Sequence, residues 1–378
     1  MNNPLEFNQY KYFIEIANYA KTHDHIIDLS LGISQEPRDP LLVHYLKEAS
    51  ENYYDYAPLQ GYPELIRSVI EINKKRPHYP IDLKENEINI IPCSTFGVYT
   101  SLQSILQPYD EVIVIEPCYY TYFPILKLLN AKAVSCALNE NFELDFNLLE
   151  SLINDKTKAI IINTPHNPTG MMLSKSDWQS ITELICNKEI YIISEEVYDM
   201  FTYEHQEHYS PQNNSILKER TFSIFSFGKM LNINGWKVSY MIAPPELLQN
   251  FRNHQQYISY AVNSPAQQAV AKYLETYHPL PTSQAMEAKR NWVIEVLQNS
   301  HYKIVKPCQG AFYQLIDFSE ATNMKNDKKF ADYLLKEKQI AVLPLSAFYS
   351  DNRNTSFIRL SFSPEFKNVK QGLERLLK

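Results

Sequence analysis

Between about residue 85 and residue 245, short β-rich runs alternate with helix-length amphipathic stretches, and no other feature restricts the fold so closely. The runs that read as strands are Glu87–Ile91, Val112–Ile115, Ala133–Cys136, Ala159–Asn163, Tyr191–Ser194, Phe222–Phe225 and Val238–Ile242. Helices fit between them, as at Ser94–Leu106, Tyr119–Asn130 and Ser176–Asn187. The runs at 159–163 and 191–194 are apolar without alternation, as befits strands covered on both faces. This order predicts an α/β fold with a large domain around a mostly parallel, seven-stranded sheet. Beyond Pro244 the texture changes. Long helical patterns fill roughly 245–300, with breaks at Pro265 and Pro279–Pro281. Strands near Tyr302–Val305, Phe312–Ile316, Ala341–Leu343 and Phe357–Ser361 then mix with helices at Asp327–Lys336 and Pro364–Lys378. The expected division is a large α/β domain over 46–275 and a smaller α+β domain formed by 1–45 with 276–378.

The composition narrows the function. A net charge of −7, with no Lys/Arg cluster to relieve it, argues against a nucleic-acid-binding surface. No apolar run approaches the ~18 residues of a membrane span. The segment Met1 to Tyr12 is polar, acidic and aromatic, unlike a secretory leader. Five scattered cysteines without a Cys-x-x-Cys pair fit neither a disulfide framework nor structural zinc. A reducing, cytoplasmic location and no metal site are expected. Glycine is scarce, at 8 residues, so each one is more apt to mark a position where backbone geometry demands it. Gly32, Gly61, Gly97, Gly170, Gly228, Gly235 and Gly310 all fall in or beside the blocks that follow.

Those blocks sit at strand ends. Ser226-Phe227-Gly228-Lys229 closes the run at 222–225, and Gly235-Trp236-Lys237 brings a second cation eight residues later. Such spacing suits an enzyme that ties an aldehyde cofactor to one lysine, with a serine and the second cation on its phosphate. Asn163-Thr164-Pro165-His166-Asn167-Pro168-Thr169-Gly170 leaves another strand through two X-Pro steps, which stiffen it enough to hold the Asn167 amide over a ligand. Glu195 and Glu196 end the next strand, where a buried carboxylate needs a cationic partner such as a protonated pyridine nitrogen. Ser94, Thr95 and Phe96 open a helix whose amides make a phosphate cup. Glu116-Pro117-Cys118-Tyr119-Tyr120-Thr121-Tyr122 places aromatic rings at a strand end, where one can stack on a flat ligand. Arg359, in the alternating strand at 356–362, has the planar fork that grips a carboxylate. Singly, each block also has an ordinary account: an N-cap, a Pro-rich connector, solvated acids, locally packed tyrosines, a surface arginine.

In order and spacing the blocks resemble the class I/II aminotransferase family of pyridoxal 5′-phosphate enzymes of fold type I, from about Leu29 to Ser363. The resemblance implies that Lys229 is the Schiff-base lysine and that Asn167 and Tyr198 bond the cofactor's ring oxygen. It implies that Glu195 faces the pyridine nitrogen and that Tyr119 stacks on the ring. Ser94, Thr95, Ser226 and Lys237 fall at phosphate positions. Tyr56 resembles the tyrosine that reaches the neighbouring subunit's phosphate, which implies a homodimer. Arg359 matches the arginine for the substrate's α-carboxylate, with Gly32 and Asn167 beside it. The catalytic set would be Lys229, Glu195 and Tyr198.

The implied reaction moves an amino group between an α-amino acid and a 2-oxo acid. Six positions depart from the family pattern. Glu195 replaces the usual aspartate, and Lys237 the usual arginine; Cys93, Tyr109, Ser239 and Leu345 stand where glycine is common, and the chain is otherwise tyrosine-rich, with 27. The first two motivate an alternative within the same cofactor class: a lyase, cyclase or oxidase. A ligand-sensing transcription factor lacks room for a DNA-binding head before the first matching block, and a cofactor-free structural homologue would not need Lys229, Asn167, Tyr198 and Arg359 together. The sequence does not name the amino acid. Asn8 to Lys21, Gln206–Tyr209 and Tyr257–Asn263 are the stretches from which selectivity could arise.

Overall fold

The apolar runs become the strands of one large sheet. A computed structural model describes residues 8–23, 25–34, 38–277, 280–351 and 353–378. Its strands are β1 (Ile27–Asp28), β2 (Ile88–Ile91), β3 (Glu111–Glu116), β4 (Lys132–Ala137), β5 (Thr157–Asn163), β6 (Tyr191–Glu195), β7 (Thr221–Ser226), β8 (Ser239–Ile242), β9 (Tyr313–Asp317), β10 (Ile340–Ala341), β11 (Leu343–Pro344) and β12 (Phe357–Ser361). Strands β2 to β8 form a seven-stranded sheet in the order β2-β8-β7-β6-β5-β3-β4. β8 runs antiparallel to β2 and β7, and the other pairings are parallel.

Both faces of this sheet are covered. On one, Val98 and Leu102 of the helix Ser94–Ile105 meet Leu248 and Phe251 of the helix Pro245–Ile258, above Val112, Val114, Ile193 and Phe222. On the other, Trp178, Ile181 and Ile185 of the helix Lys175–Ile185 pack on Ile160, Ile162 and Ile192. The buried Trp178 indole donates to the Tyr209 carbonyl at 3.0 Å. Each side chain so buried contributes about 1.5–3 kcal/mol. Only β4, at the sheet's edge, is substantially open to solvent.

A second sheet, β11-β12-β9, is antiparallel, and β1 pairs with β10 in parallel beside it. The helices Asp327–Lys336 and Phe366–Leu377 pack here through Phe330, Leu334, Leu373 and Leu376. The N-terminal helix Asn8–Thr22 sets Phe13 edge-on against Phe348, with ring centroids 5.1 Å apart.

Local expectations meet three corrections. The helix expected at Tyr119–Asn130 spans only Tyr122–Leu128, because the Cys118 amide is drawn away to the Phe348 carbonyl at 2.8 Å. In place of a strand at Tyr302–Val305 there is a single bridge between Lys303 and Asp317, closed by two hydrogen bonds. Glycine scarcity marks Gly170, where φ is +72° and a Cβ would lie 2.3 Å from that of Cys308; Gly235 has open space around it and needs no such explanation. Pro265 separates two helices from within the first turn of the second, Ser264–Leu274, which is capped by Asn263. Pro279 lies outside the described residues, and Pro281 stands in the first turn of the helix Leu280–Gln298, beyond the break that follows Leu274. Tyr109, where the family pattern has glycine, adopts φ +74°.

Candidate active site

Parallel pairing sends the ends of β3, β5, β6 and β7 to one edge of the large sheet, and antiparallel β8 begins there, with Ser226 opposite Ser239. Lys229 lies in the single helical turn Phe227–Met230 directly after β7. Its amine donates to the Gly32 carbonyl at 2.8 Å and sits 5.8 Å and 5.9 Å from the ring centroids of Tyr198 and Phe312. Burial lowers its pKa to about 8; Glu195 opposes that, while Arg359 and Lys237 add to it. More of the amine is therefore unprotonated, and nucleophilic, near neutral pH than in an ordinary lysine.

Glu195, 4% exposed, ends β6. Its Oε2 accepts the Tyr122 hydroxyl, and the Ser94 hydroxyl is near enough to act on the carboxyl. Burial raises the pKa of this carboxyl, and the Tyr122 and Ser94 hydroxyls and the Lys229 charge hold it down. Asn163 clasps the two loops together: its amide donates to the Glu195 carbonyl at 2.8 Å and its oxygen accepts the Asn167 N–H at 2.7 Å. The Asn167 side-chain oxygen accepts from Arg359 at 2.7 Å.

Arg359 reaches this point from the centre of β12 and is 3% exposed. It also donates to the Ser30 carbonyl, and its guanidinium lies 4.1 Å over the Tyr313 ring and 4.9 Å from that of Phe348. Its Nε has no partner among the described residues. Tyr198 follows β6 and shares a 2.9 Å hydrogen bond with the Tyr313 hydroxyl. Burial raises the Tyr198 phenol well above its ordinary range, so it keeps its proton.

At the other end of the cluster, the helix Ser94–Ile105 starts without a side-chain cap, because Cys93 occupies the N-cap and makes no capping bond. Ser94 and Thr95 thus stand among free helix amides. Ser239 donates to Ser226 at 3.3 Å, and Lys237 follows in the left-handed region at φ +58°. Tyr119 lies partly buried, with its ring 4.7 Å from Tyr120 and 6.2 Å from Tyr122. Gly32 fits because a Cβ there would lie 1.8 Å from the Tyr313 oxygen. One expected residue stays apart: Tyr56 is 84% exposed, with its ring against Tyr260 at 5.8 Å.

Sequence reasoning assigned no role to Tyr122, Tyr313, Asn163 or Ser30. Tyr122 carried a faint signal, standing one helical turn beyond Tyr119. Tyr313 carried none, since its partners Tyr198 and Arg359 are distant in sequence.

The donor set suits pyridoxal 5′-phosphate: a depressed amine, a buried carboxyl with no counter-ion, an uncapped helix start beside serines and a lysine, and a buried arginine with a spare N–H. Fold and cluster together define a fold type I pyridoxal 5′-phosphate enzyme. The chain belongs to the class I and II aminotransferases, whose family model matches residues 24–376. It is 30% identical over 371 residues to the methionine aminotransferase of Escherichia coli, covering 96% of this chain and 94% of that protein. A solved structure of a methionine aminotransferase from Escherichia coli superposes with a TM-score of 0.92 at 29% identity, covering 96% and 95% of the two chains. The aspartate aminotransferase of Pyrococcus abyssi is 29% identical over 359 residues, 93% of this chain and 91% of its own. The protein is an aminotransferase dependent on pyridoxal 5′-phosphate, and this relationship favours amino transfer over the lyase, cyclase or oxidase alternative. Among the described residues no helix is long and apolar enough to cross a membrane.

Proposed function

We propose that this aminotransferase takes its amino group from an α-amino acid with an uncharged side chain, methionine being the best candidate, and that Lys229, Glu195 and Tyr198 carry the catalysis. When bound, pyridoxal 5′-phosphate supplies the electron sink that makes the Cα proton removable. Lys229 would hold the cofactor at its aldehyde carbon, and its amine would serve as the base for the Cα proton. Glu195 would face the ring nitrogen and favour its protonated form. Asn167 and Tyr198 would serve the ring oxygen, and Tyr119 would cover one face of the ring. Ser94, Thr95, Ser226 and Lys237 would hold the phosphate. Arg359 grips the α-carboxylate, with its spare N–H as one donor and with Asn167 and Gly32 lining the seat.

The observation that carries the choice of substrate is the pairing state of the other deeply placed arginines. Arg76 is held by Asp199 at 2.6 Å and Arg290 by Glu204 at 2.5 Å, so neither is free for the second carboxylate of an aspartate. The walls near Arg359 are the aromatic rings of Phe348 and Tyr313. The likeness to the methionine aminotransferase points the same way.

The unit we propose is a cytoplasmic homodimer in which Tyr56 reaches the other subunit's phosphate. Tyr54, Tyr56, Tyr257 and Tyr260 are 81%, 84%, 85% and 54% exposed, an aromatic surface that a second copy would cover. The five free cysteines suit a reducing compartment. Within each subunit, 46–275 is the cofactor-binding unit and 1–45 with 276–378 the smaller one.

The test is a single half-reaction. Holoenzyme mixed with methionine and no oxo acid should release one equivalent of the corresponding 2-oxo acid per site. Aspartate at equal concentration should react at least ~10-fold more slowly. Faster reaction with aspartate would overturn the substrate assignment.

A further inference from the structure

The departure from the family pattern at Glu195 poses a physical problem. The extra methylene adds a rotatable bond, and a carboxylate that swings freely cannot face one fixed atom of a ligand. The neighbouring element solves it. Tyr122 is the first residue of the helix Tyr122–Leu128, is 2% exposed, and donates its hydroxyl to Glu195 Oε2 across the sheet from the exit of β3. The Ser94 hydroxyl, at the start of a different helix, lies close enough to lower the pKa of the same carboxyl. An anchor from a separate element therefore replaces the freedom that the longer side chain introduces.

A buried tyrosine needs a partner for its hydroxyl, and an ordinary core tyrosine would find a backbone carbonyl. The buried Tyr209 does this, with its hydroxyl on the Asn213 carbonyl at 3.2 Å. Tyr122 instead spends its proton on a carboxyl of the site, 73 residues away in sequence. Its ring also meets that of Tyr119 nearly perpendicularly, at 80°. The residue thus touches both the ring stacker and the carboxyl of the proposed site. Burial and the Glu195 charge raise the phenol well above its usual range, so it donates and does not ionise.

We propose that Tyr122 is a positioning residue for amino transfer, whose hydroxyl fixes the Glu195 carboxylate in the one orientation that can hold the cofactor's ring nitrogen. This rests on the reading that Glu195 faces that nitrogen. The phenol does not touch the substrate. It acts through Glu195, by denying the carboxylate its alternative rotamers and by favouring its ionised form against the burial that opposes it.

Two consequences separate this role from simple packing. Loss of the hydroxyl should weaken cofactor retention and alter the pH titration of the bound chromophore, and kcat should fall with little change in KM. The effect should also vanish when Glu195 is shortened, because an aspartate no longer spans the gap to the phenol. The experiment compares wild-type holoenzyme with Tyr122→Phe, Glu195→Asp, the double variant and Glu195→Gln. The readouts are the dissociation constant of pyridoxal 5′-phosphate, the chromophore's pH titration, and kcat and KM with methionine. Apoenzyme melting temperatures identify any variant that is merely unfolded.

Tyr122→Phe should raise the dissociation constant about tenfold, the loss of one charge-assisted hydrogen bond. Added to Glu195→Asp it should change the constant less than twofold. Should Tyr122→Phe melt too low to load, Glu195→Asp breaks the same contact from the other side and should itself raise the constant. The proposal is overturned if Tyr122→Phe leaves the constant and the titration at wild-type values while Glu195→Gln disturbs both. It is equally overturned if the two substitutions act additively. If Glu195→Gln disturbs neither, the placement of Glu195 against the ring nitrogen fails, and the role of Tyr122 fails with it.

Discussion

Glu195 and Glu196 leave the same strand end and enter two buried charge clusters that are built on opposite rules. On the Glu196 side the charged side chains are bonded to ionisable partners. Glu196 lies 2.6 Å from His208, and Arg76 lies 2.6 Å from Asp199 while donating to Asn73 at 2.8 Å. On the Glu195 side, two cations and a carboxyl share the cluster, yet among the described residues no ion pair joins Lys229, Arg359 or Glu195. Lys229 rests on a carbonyl, Arg359 on a carbonyl and an amide oxygen, and Glu195 on the Tyr122 hydroxyl. Charges matched to each other hold a fold together. Charges matched only to neutral dipoles are costly to bury and are positioned for something that arrives.

The contrast can be broken first at Lys229. Replacing it by Met should lower amino transfer by about 10⁴-fold or more, since on the proposed assignment both the cofactor's anchor and the Cα base disappear. Steady-state rates with methionine measure this, and a loss below tenfold would remove Lys229 from the chemistry.

The same comparison predicts the reverse on the other side. Arg76→Met leaves Asp199 buried without its counter-ion and should cost about 3–5 kcal/mol of stability. Denaturant titration of the apoenzyme measures the cost. The folded fraction should keep its KM for methionine, because Arg76 makes no contact with the Lys229 cluster.

The smallest effect concerns pH. The folded pKa of Lys229, about 8, lies below the 10.5 of the unstructured side chain. The unfolded chain therefore binds the extra proton between these values, and stability rises with pH across that window. Below about pH 8 both states carry the proton and the penalty is fully present. Apoenzyme bearing Lys229→Met should accordingly be more stable than wild type at pH 7, by about 2 kcal/mol after allowance for the partial exposure of the amine. The advantage should shrink towards pH 10.5. Parallel melts at pH 7 and pH 10 test the sign.

Much of this arrangement was legible in the sequence because strands that end at one sheet edge announce themselves twice. The apolar runs at 159–163 and 191–194 name the strand, and the polar residues that follow name the edge. The position of Lys229 after β7 and of Glu195 at the end of β6 follow from that logic. Contacts made across the sheet did not show. Nothing near Tyr122 reveals that its hydroxyl meets a carboxyl 73 residues away, and nothing near Tyr313 reveals that it lies between Tyr198 and Arg359. The helix expected from Tyr119 starts at Tyr122 for a similar reason: a distant carbonyl, that of Phe348, takes the amide of Cys118. Local pattern registers which face a residue occupies, and long-range hydrogen bonds decide what it touches there.

The most direct measurement is borohydride reduction of the holoenzyme followed by peptide mapping of the labelled lysine. If the unpaired cluster is the cofactor site, the phosphopyridoxyl mass falls on Lys229 alone. Label on a different lysine, or none in an enzyme that still transfers amino groups, would contradict the account.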